Sequence, residues 1–367
     1  MKINIILPHR EKFDKYKASS VSITVKNNFK HSEYKKNIMI YGQDTENPIF
    51  TKNFTGFKNP FLFFLSRNKN IAKKMCKIIL SEKDKKQIIE IHNRPYLLNF
   101  IYKRLKEYPI TLFYHNDPQG MLGSKTIKER EQLLKKAKGI FCVSEYIKSK
   151  FLEGLHGDTS KVIVIYNGVE RRLKQFPVKN REIIFLGRFV PEKGVHLYVN
   201  AISKIANKFP DWKFRLIGST YLGSSKKQTS YALKVIKDFR NIGGQAILEG
   251  FISSRAAQKK METASIIVIP SIWNEPYGLV VAEAMSNGVA IITSNVGGIP
   301  EIIKDNGLII SEISENKIEM ALLSLLNSPK NLKKFQKLSW DNFNHSSVSS
   351  SQKLDHYRKR LILTSKL

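Results

Sequence analysis

Short β-branched runs alternate with amphipathic stretches along the whole chain, and this alternation restricts the fold more than any other feature. Apolar runs at 3–7, 36–41, 88–91, 110–114, 139–143 and 162–165 are separated by helical patterns, for example over 96–107, 125–136 and 145–154. After the turn-like Asn167-Gly168-Val169 the alternation restarts, with runs at 182–186, 213–218, 245–248, 266–270 and 290–293. Strand, helix and strand in that order imply parallel sheets with helical crossovers. The runs are continuously apolar, as expected where helices cover both faces of a sheet. Two series of similar size predict two doubly wound, Rossmann-like α/β domains, over 1–172 and 173–345, with a hinge near 168–178. The length of 367 residues gives each domain enough chain for its own core. A Ser-rich connector at 346–351 leads into a last helix at 352–363, so 346–367 is expected to pack back on the N-terminal domain.

The charge is the unusual part of the composition. Lys and Arg number 62 against 31 Asp and Glu, a formal net charge of +31. Such an excess suggests an acidic partner: nucleic acid, an anionic membrane face or a phosphorylated substrate. Only 14 of the 62 are Arg, whereas base readers rely on Arg for bidentate contacts, and no aromatic-plus-basic platform or nucleic-acid recognition motif is present. Nucleic acid is therefore not expected as a partner. Cys76 and Cys142 are too few for a disulfide framework or a metal cluster and fit a reducing compartment. The N-terminus MKINIILPHREK reaches charge and proline too early for a signal-peptide core, and no apolar run approaches the ~20 residues of a membrane span. A cytoplasmic protein, at most attached to the inner face of the membrane, is the expectation.

In doubly wound sheets ligands bind outside the carboxyl ends of the strands, so residues just after strands carry the functional interest. The segment 266–301 is the most informative. A buried run ends at Pro270, a polar loop carries Glu275, and Pro276-Tyr277-Gly278 opens a helix whose interior holds Glu283. A loop glycine followed by helix amides forms an anion site, which places phosphate against Gly278 and Leu279. Glu275 and Glu283 then flank that site, suited to accept hydrogen bonds from sugar hydroxyls. Earlier in the same half, Arg188 and Lys193 follow a strand within Gly187-Arg188-Phe189-Val190-Pro191-Glu192-Lys193-Gly194 and suit a diphosphate. Each element alone also admits a plainer account: a solvated loop carboxylate, a paired helix glutamate, two surface cations among 62.

Taken together and in order, Gly187-Arg188, Glu192-Lys193-Gly194, the stretch from Glu275 through seven residues to Glu283, and Gly297-Gly298-Ile299-Pro300-Glu301 resemble the retaining glycosyltransferases of family 4. The resemblance runs from about 182 to 326 and is weaker in the N-terminal half. It implies the GT-B architecture, two Rossmann-like domains facing a central cleft, with a donor-binding C-terminal domain and an acceptor-binding N-terminal one. It implies that Arg188 and Lys193 hold the donor diphosphate and neutralise the leaving group, that Glu283 binds the ribose, and that Glu275 faces the transferred sugar. Gly278 and Leu279 would give amides to phosphate, and the main chain of Gly250-Phe251-Ile252 would hold the base. No two of the ten aspartates are separated by one residue, so the Asp-x-Asp metal signature is absent; a metal-free reaction without cofactor, on a UDP- or GDP-sugar as substrate, is consistent with this.

In the N-terminal half, His115 follows the run at 110–114, where the resemblance implies a histidine near the donor sugar, and His92 ends the run at 88–91 similarly. The first loop departs from the family: glycines are usual there, whereas this chain reads Lys17-Ala18-Ser19-Ser20-Val21, so Ser19 or Ser20 would donate through a hydroxyl. The implied activity is hexose or N-acetylhexosamine transfer to a glycan or lipid-linked acceptor with retention, in surface polysaccharide or lipopolysaccharide synthesis. The cluster from Pro60 to Leu65 with Arg67, Lys69, Lys73, Lys74 and Lys77 suggests peripheral contact with an anionic membrane; a core helix with a solvated Lys face reads equally well. A nucleotide-sugar epimerase of the same architecture and a non-enzymatic basic membrane- or nucleic-acid-binding protein are the alternative classes.

Overall fold

A computed structural model describes residues 2–8, 11–57, 67–82, 84, 86–220 and 228–364. The chain forms two compact units, Met1–Gly168 with Ser347–Leu367, and Val169–Ser346.

In the first unit the order is β1 (Lys2–Ile6), α1 (Ser20–His31), β2 (Ile38–Gln43), β3 (Phe54–Phe57), α2 (Arg67–Ser81), β4 (Gln87–His92), α3 (Pro95–Leu105), β5 (Ile110–Tyr114), α4 (Ile127–Lys136), β6 (Gly139–Cys142), α5 (Glu145–Leu152) and β7 (Val162–Val164). The strands form one sheet in the order β3-β2-β1-β4-β5-β6-β7, every neighbouring pair parallel. Chain order reverses between β1 and β4, so the crevice at their carboxyl ends is the topological switch point. Ile3, Ile5, Ile38, Ile40 and Ile88 pack with Val21 and Val25 of α1, each fully buried side chain contributing roughly 1.5–3 kcal/mol.

The second unit runs β8 (Asn180–Leu186), α6 (Val195–Ile205), β9 (Lys213–Ile217), α7 (Ser230–Arg240), β10 (Ala246–Gly250), α8 (Ser254–Thr263), β11 (Ala264–Ile269), α9 (Leu279–Ser286), β12 (Ala290–Ser294), α10 (Ile299–Ile303), β13 (Leu308–Ile310), α11 (Glu315–Leu326) and α12 (Pro329–Asp341). Its sheet, β10-β9-β8-β11-β12-β13, is also parallel throughout, with the switch point between β8 and β11. Tyr198 of α6 lies wholly in the core and donates its hydroxyl to the Ile183 and Arg215 carbonyls at 3.0 and 3.2 Å, which satisfies a polar tip that burial would otherwise penalise. Both units are doubly wound parallel α/β folds, as the alternation predicts.

The differences from the sequence expectation lie at element edges. β3 and β13 are not predicted; both are edge strands of three or four residues. The expected connector at 346–351 is instead the first part of the last helix, α13 (Ser347–Thr364). Its serines serve the helix interface: Ser350 donates to the Tyr166 carbonyl at 2.6 Å and Ser351 to the Asn28 carbonyl at 2.8 Å. α13 packs on α1 within the first unit. Arg358 of α13, fully buried, forks onto both Glu90 carboxylate oxygens at 2.7 Å and bonds Asp355 at 2.8 Å. Asp355 in turn accepts from the Ser32 hydroxyl and the Glu33 N–H.

α2 buries Ala72, Met75, Cys76 and Ile79 and exposes Lys69, Lys73, Lys74 and Lys77, an amphipathic spacing that makes the lysines the solvent face of a core helix. The apolar run at 60–65 lies outside the described residues. Among the described residues no helix is long and apolar enough to cross a membrane.

Candidate functional site

At the β8/β11 switch point the structure joins two residues that the sequence places 82 positions apart. Lys193, in a single 3₁₀ turn after β8, forms an ion pair with Glu275, in the loop after β11. The Ser271 hydroxyl donates to the same Glu275 oxygen at 2.7 Å. Glu275 is 8% exposed, and a carboxylate so enclosed requires the partners it has.

Two glycines make this meeting possible. Gly194 sits in the left-handed region (φ +64°) at the start of α6, where a Cβ would lie 1.9 Å from the Pro270 carbonyl oxygen. Only glycine lets the Lys193 turn approach the end of β11 so closely. Gly297 (φ +57°) stands against the loop from the other side, its Cβ position 2.1 Å from the Glu275 carbonyl oxygen, and the next N–H, of Gly298, donates to that carbonyl at 2.7 Å. The Gly297-Gly298 motif therefore acts through the backbone of Glu275.

α9 begins just after Gly278, three residues on from Glu275. Gly278 (φ +93°) is its cap and supplies no side-chain hydrogen bond, so the first-turn amides, that of Leu279 included, face no capping side chain, and the positive end of the helix stands at the switch point. Glu283 lies in the second turn. Burial pushes its carboxyl up to about 7, against a hydrogen bond from Gln258 and the charge of Arg172. Gln258 is itself held, its oxygen accepting from Asn287 at 2.8 Å. Gln258 and Ser271, which contact Glu283 and Glu275, are neighbours that sequence reasoning missed, since neither stands in a spaced motif.

Arg188 is exposed, but its backbone is fixed. The N–H groups of Gly187 and Phe189 donate to the Ile217 and Ser219 carbonyls at 3.0 Å, and Phe189 is buried. Gly250 (φ +67°) ends β10, accepts from the Gly218 N–H at 2.8 Å, and leads through Phe251 and Ile252 to Ser253, the cap of α8. Across the sheet, then, the segment at 250–252, Arg188 with Lys193, and Glu275 follow β10, β8 and β11, all at carboxyl ends of one parallel sheet.

In the first unit the loop after β1 differs from expectation. Ser19 caps α1 by accepting from the Val21 N–H at 3.2 Å, and its hydroxyl donates to Glu11; Ser22 gives the same carboxylate its hydroxyl at 2.6 Å and its N–H at 3.2 Å. Glu11 thus occupies the amino end of α1 as an internal anion. The Ser19 hydroxyl, expected to donate to a ligand, is committed to Glu11 instead, whereas Ser20 is exposed.

His92 and His115, at the ends of the adjacent strands β4 and β5, bond to each other, Nδ1 to Nε2 at 2.8 Å, and both stack on Phe113. The Asn93 side chain (backbone φ +50°) accepts the His115 N–H at 2.7 Å. Burial pushes the His92 imidazole down to about 3 and His115 well below its ordinary value, so both rings are neutral at pH 7. His115 Nδ1 and His92 Nε2 are buried without a hydrogen-bond partner among the described residues. Buried polar atoms are paired in most folded proteins, so this histidine pair stands out in the first unit.

Comparison with known proteins agrees in sequence and in fold. Residues 169–339 match the family model described as glycosyl transferases group 1, and residues 40–173 match that of glycosyltransferase family 4. The chain is 33% identical over 212 residues to an uncharacterized glycosyltransferase of Methanocaldococcus jannaschii, an alignment covering 55% of this chain and 56% of that relative. It is 24% identical over 279 residues to the lipopolysaccharide 1,2-N-acetylglucosaminetransferase of Salmonella typhimurium, covering 70% of each. The solved structure of Anabaena HepE in complex with UDP superposes with a TM-score of 0.77 at 15% identity, covering 98% of this chain and 100% of that one.

Proposed function

We propose that this chain, which belongs to the group 1 glycosyltransferases of family 4, transfers a hexose or N-acetylhexosamine from a nucleotide-diphosphate sugar to a glycan or lipid-linked acceptor. The observation that carries the reading is the Lys193–Glu275 pair at the β8/β11 switch point, beside the glycine-capped amino end of α9 and the raised carboxyl of Glu283. A cation, helix amides and two carboxylates at one sheet end match the parts of a nucleotide sugar: diphosphate for the first two, hydroxyls for the others.

Breaking the bond from the anomeric carbon to phosphate develops positive charge on the sugar and negative charge on the diphosphate. Arg188, Lys193 and the amides at 278 and 279 stabilise the leaving group, and preorganised donors of this kind supply the largest share of many rate enhancements. Glu275, oriented by Ser271 and Lys193, accepts from hydroxyls of the transferred sugar. Glu283 accepts from the ribose, and Gly250 and Ile252 hold the base through the main chain. His115, with Nδ1 unpartnered among the described residues, serves the sugar and acceptor, seated by its bond to His92. The reaction retains configuration by attack on the face the diphosphate leaves, without metal or cofactor. The setting is surface polysaccharide or lipopolysaccharide synthesis at the cytoplasmic membrane face, a role in line with that of the Salmonella lipopolysaccharide transferase this chain resembles.

The test is release of nucleoside diphosphate from a panel of UDP- and GDP-sugars, with and without acceptor extract, for the wild type and Arg188→Ala. Acceptor-dependent release that falls about a hundredfold or more in a folded Arg188→Ala protein is expected. Undiminished release in that variant defeats the diphosphate assignment.

A further inference from the structure

The loop that carries Glu275 also carries two large apolar residues that stand in solvent: Ile272 is 50% exposed and Trp273 40%. The loop is held from both ends. The N–H groups of Ile272 and Trp273 both donate to the Glu192 carbonyl, at 2.9 and 3.4 Å, next to Lys193, and the Glu275 carbonyl accepts from Gly298. What sets Trp273 apart from other exposed apolar side chains is its place on this pinned loop, two residues from Glu275.

Sheet order and Glu275 together say which part of a nucleotide sugar lies there. Strands β10, β9, β8 and β11 are consecutive neighbours, so at about 4.8 Å per strand the base segment after β10 lies roughly 10 Å from the cations after β8, and roughly 14 Å from the loop after β11. The base segment and the cations thus lie on one side of that loop, while the amides at 278 and 279 and Glu283 share the post-β11 segment with Glu275, so it is Glu275, facing the transferred sugar and two residues from Trp273, that sets where the sugar lies. The pyranose end of the donor therefore falls at the loop of Trp273. A pyranose ring has a face of polarised C–H bonds and a rim of hydroxyls. The indole face, negative in its quadrupole, attracts the first, and Glu275 accepts from the second.

We infer that Trp273, flanked by Ile272, is the platform on which the sugar ring of the donor stacks, and that it helps to select which sugar is transferred. This rests on the donor reading above. Stacking of this kind adds about three- to tenfold in affinity, enough to favour a ring with the matching C–H face.

The chain has three tryptophans, and Trp212 and Trp340 are only 8% and 9% exposed, so quenching of its fluorescence by acrylamide reports chiefly on Trp273. UDP-glucose, UDP-N-acetylglucosamine and GDP-mannose, compared with UDP and GDP alone, provide the arms, and thermal shift with UDP and GDP tests the donor site independently. At least one nucleotide sugar is expected to halve the quenching slope while its nucleoside diphosphate leaves it unchanged. Trp273→Phe removes the quenchable signal but keeps sugar-nucleotide KM within about threefold. Trp273→Ala raises that KM about three- to tenfold without weakening the nucleoside diphosphate. Thermal stabilisation by UDP or GDP with no protection by any sugar nucleotide overturns the platform and leaves the donor site standing, as does equal protection by the diphosphate alone. No thermal stabilisation by UDP or GDP together with no protection by any nucleotide sugar overturns both.

Discussion

Glu283→Gln separates the fold's interest from the ligand's. Glu283 titrates near 4.5 in the unfolded chain and near 7 in the folded unit, because burial disfavours the charged form. Between those values the folded state keeps a proton that the unfolded state has released, so this group's contribution to stability falls as pH rises from about 4.5 to 7. Above pH 7 the penalty is complete. The full shift corresponds to about 3 kcal/mol at about 1.36 kcal/mol per unit, a ceiling because the residue is only partly enclosed and faces Arg172. A glutamine side chain at this position has the same shape and no charge, and it can still accept from Gln258. The variant is expected to be about 2–3 kcal/mol more stable than the wild type at pH 8 and within about 1 kcal/mol of it at pH 5. Trp212, Trp273 and Trp340 all belong to the second unit, so urea unfolding followed by tryptophan fluorescence reads that unit alone. Calorimetry with nucleoside diphosphate should show affinity moving the other way, about tenfold weaker, through loss of charge-assisted acceptors for the ribose. A variant as pH-sensitive as the wild type, or less stable at pH 8, refutes the reasoning.

Gly297→Ala places a methyl group into the Glu275 backbone; a loss of about 1–3 kcal/mol in unfolding free energy and a larger proportional loss of transferase activity are expected, and wild-type kinetics would count against the buttress. Arg358→Met leaves the fully buried Glu90 without its partner, which should destabilise the first unit by about 3–5 kcal/mol in urea titration monitored by circular dichroism, with the double variant Glu90→Gln, Arg358→Met recovering part of the loss. Sedimentation with vesicles of anionic lipid at low salt tests the basic α2 face; binding that vanishes when Lys69, Lys73, Lys74 and Lys77 become Glu assigns it to that face, and no sedimentation removes the membrane contact.

What could be read early follows from the range of each signal. Central strands such as β4, β5, β8 and β11 are buried on both faces, so their composition alone marks them. β3, with Thr55 and Gly56 between its two phenylalanines, carries no such apolar run. Ser347–Ser351 look like a connector because serine favours caps and turns locally, yet the helix interface supplies hydroxyl acceptors from α1 and from Tyr166, and the helix wins. Glu11 shows the same limit: nothing in its neighbourhood tells that its carboxylate would sit at the amino end of α1 and engage Ser19.

The amino-acid sequence by itself determined two doubly wound α/β units, the order of the motifs after their strands, and the family. Hydrophobic period and glycine placement are local properties, and they survive without coordinates. The tertiary structure decided the pairings: Lys193 with Glu275 across 82 residues, Arg358 with Glu90 across 268, His92 with His115 across 23. Such pairs depend on which strands become neighbours, and parallel sheets make neighbours of strands far apart in the chain. The same neighbour order brought the segments after β10, β8 and β11 to one end of a single sheet.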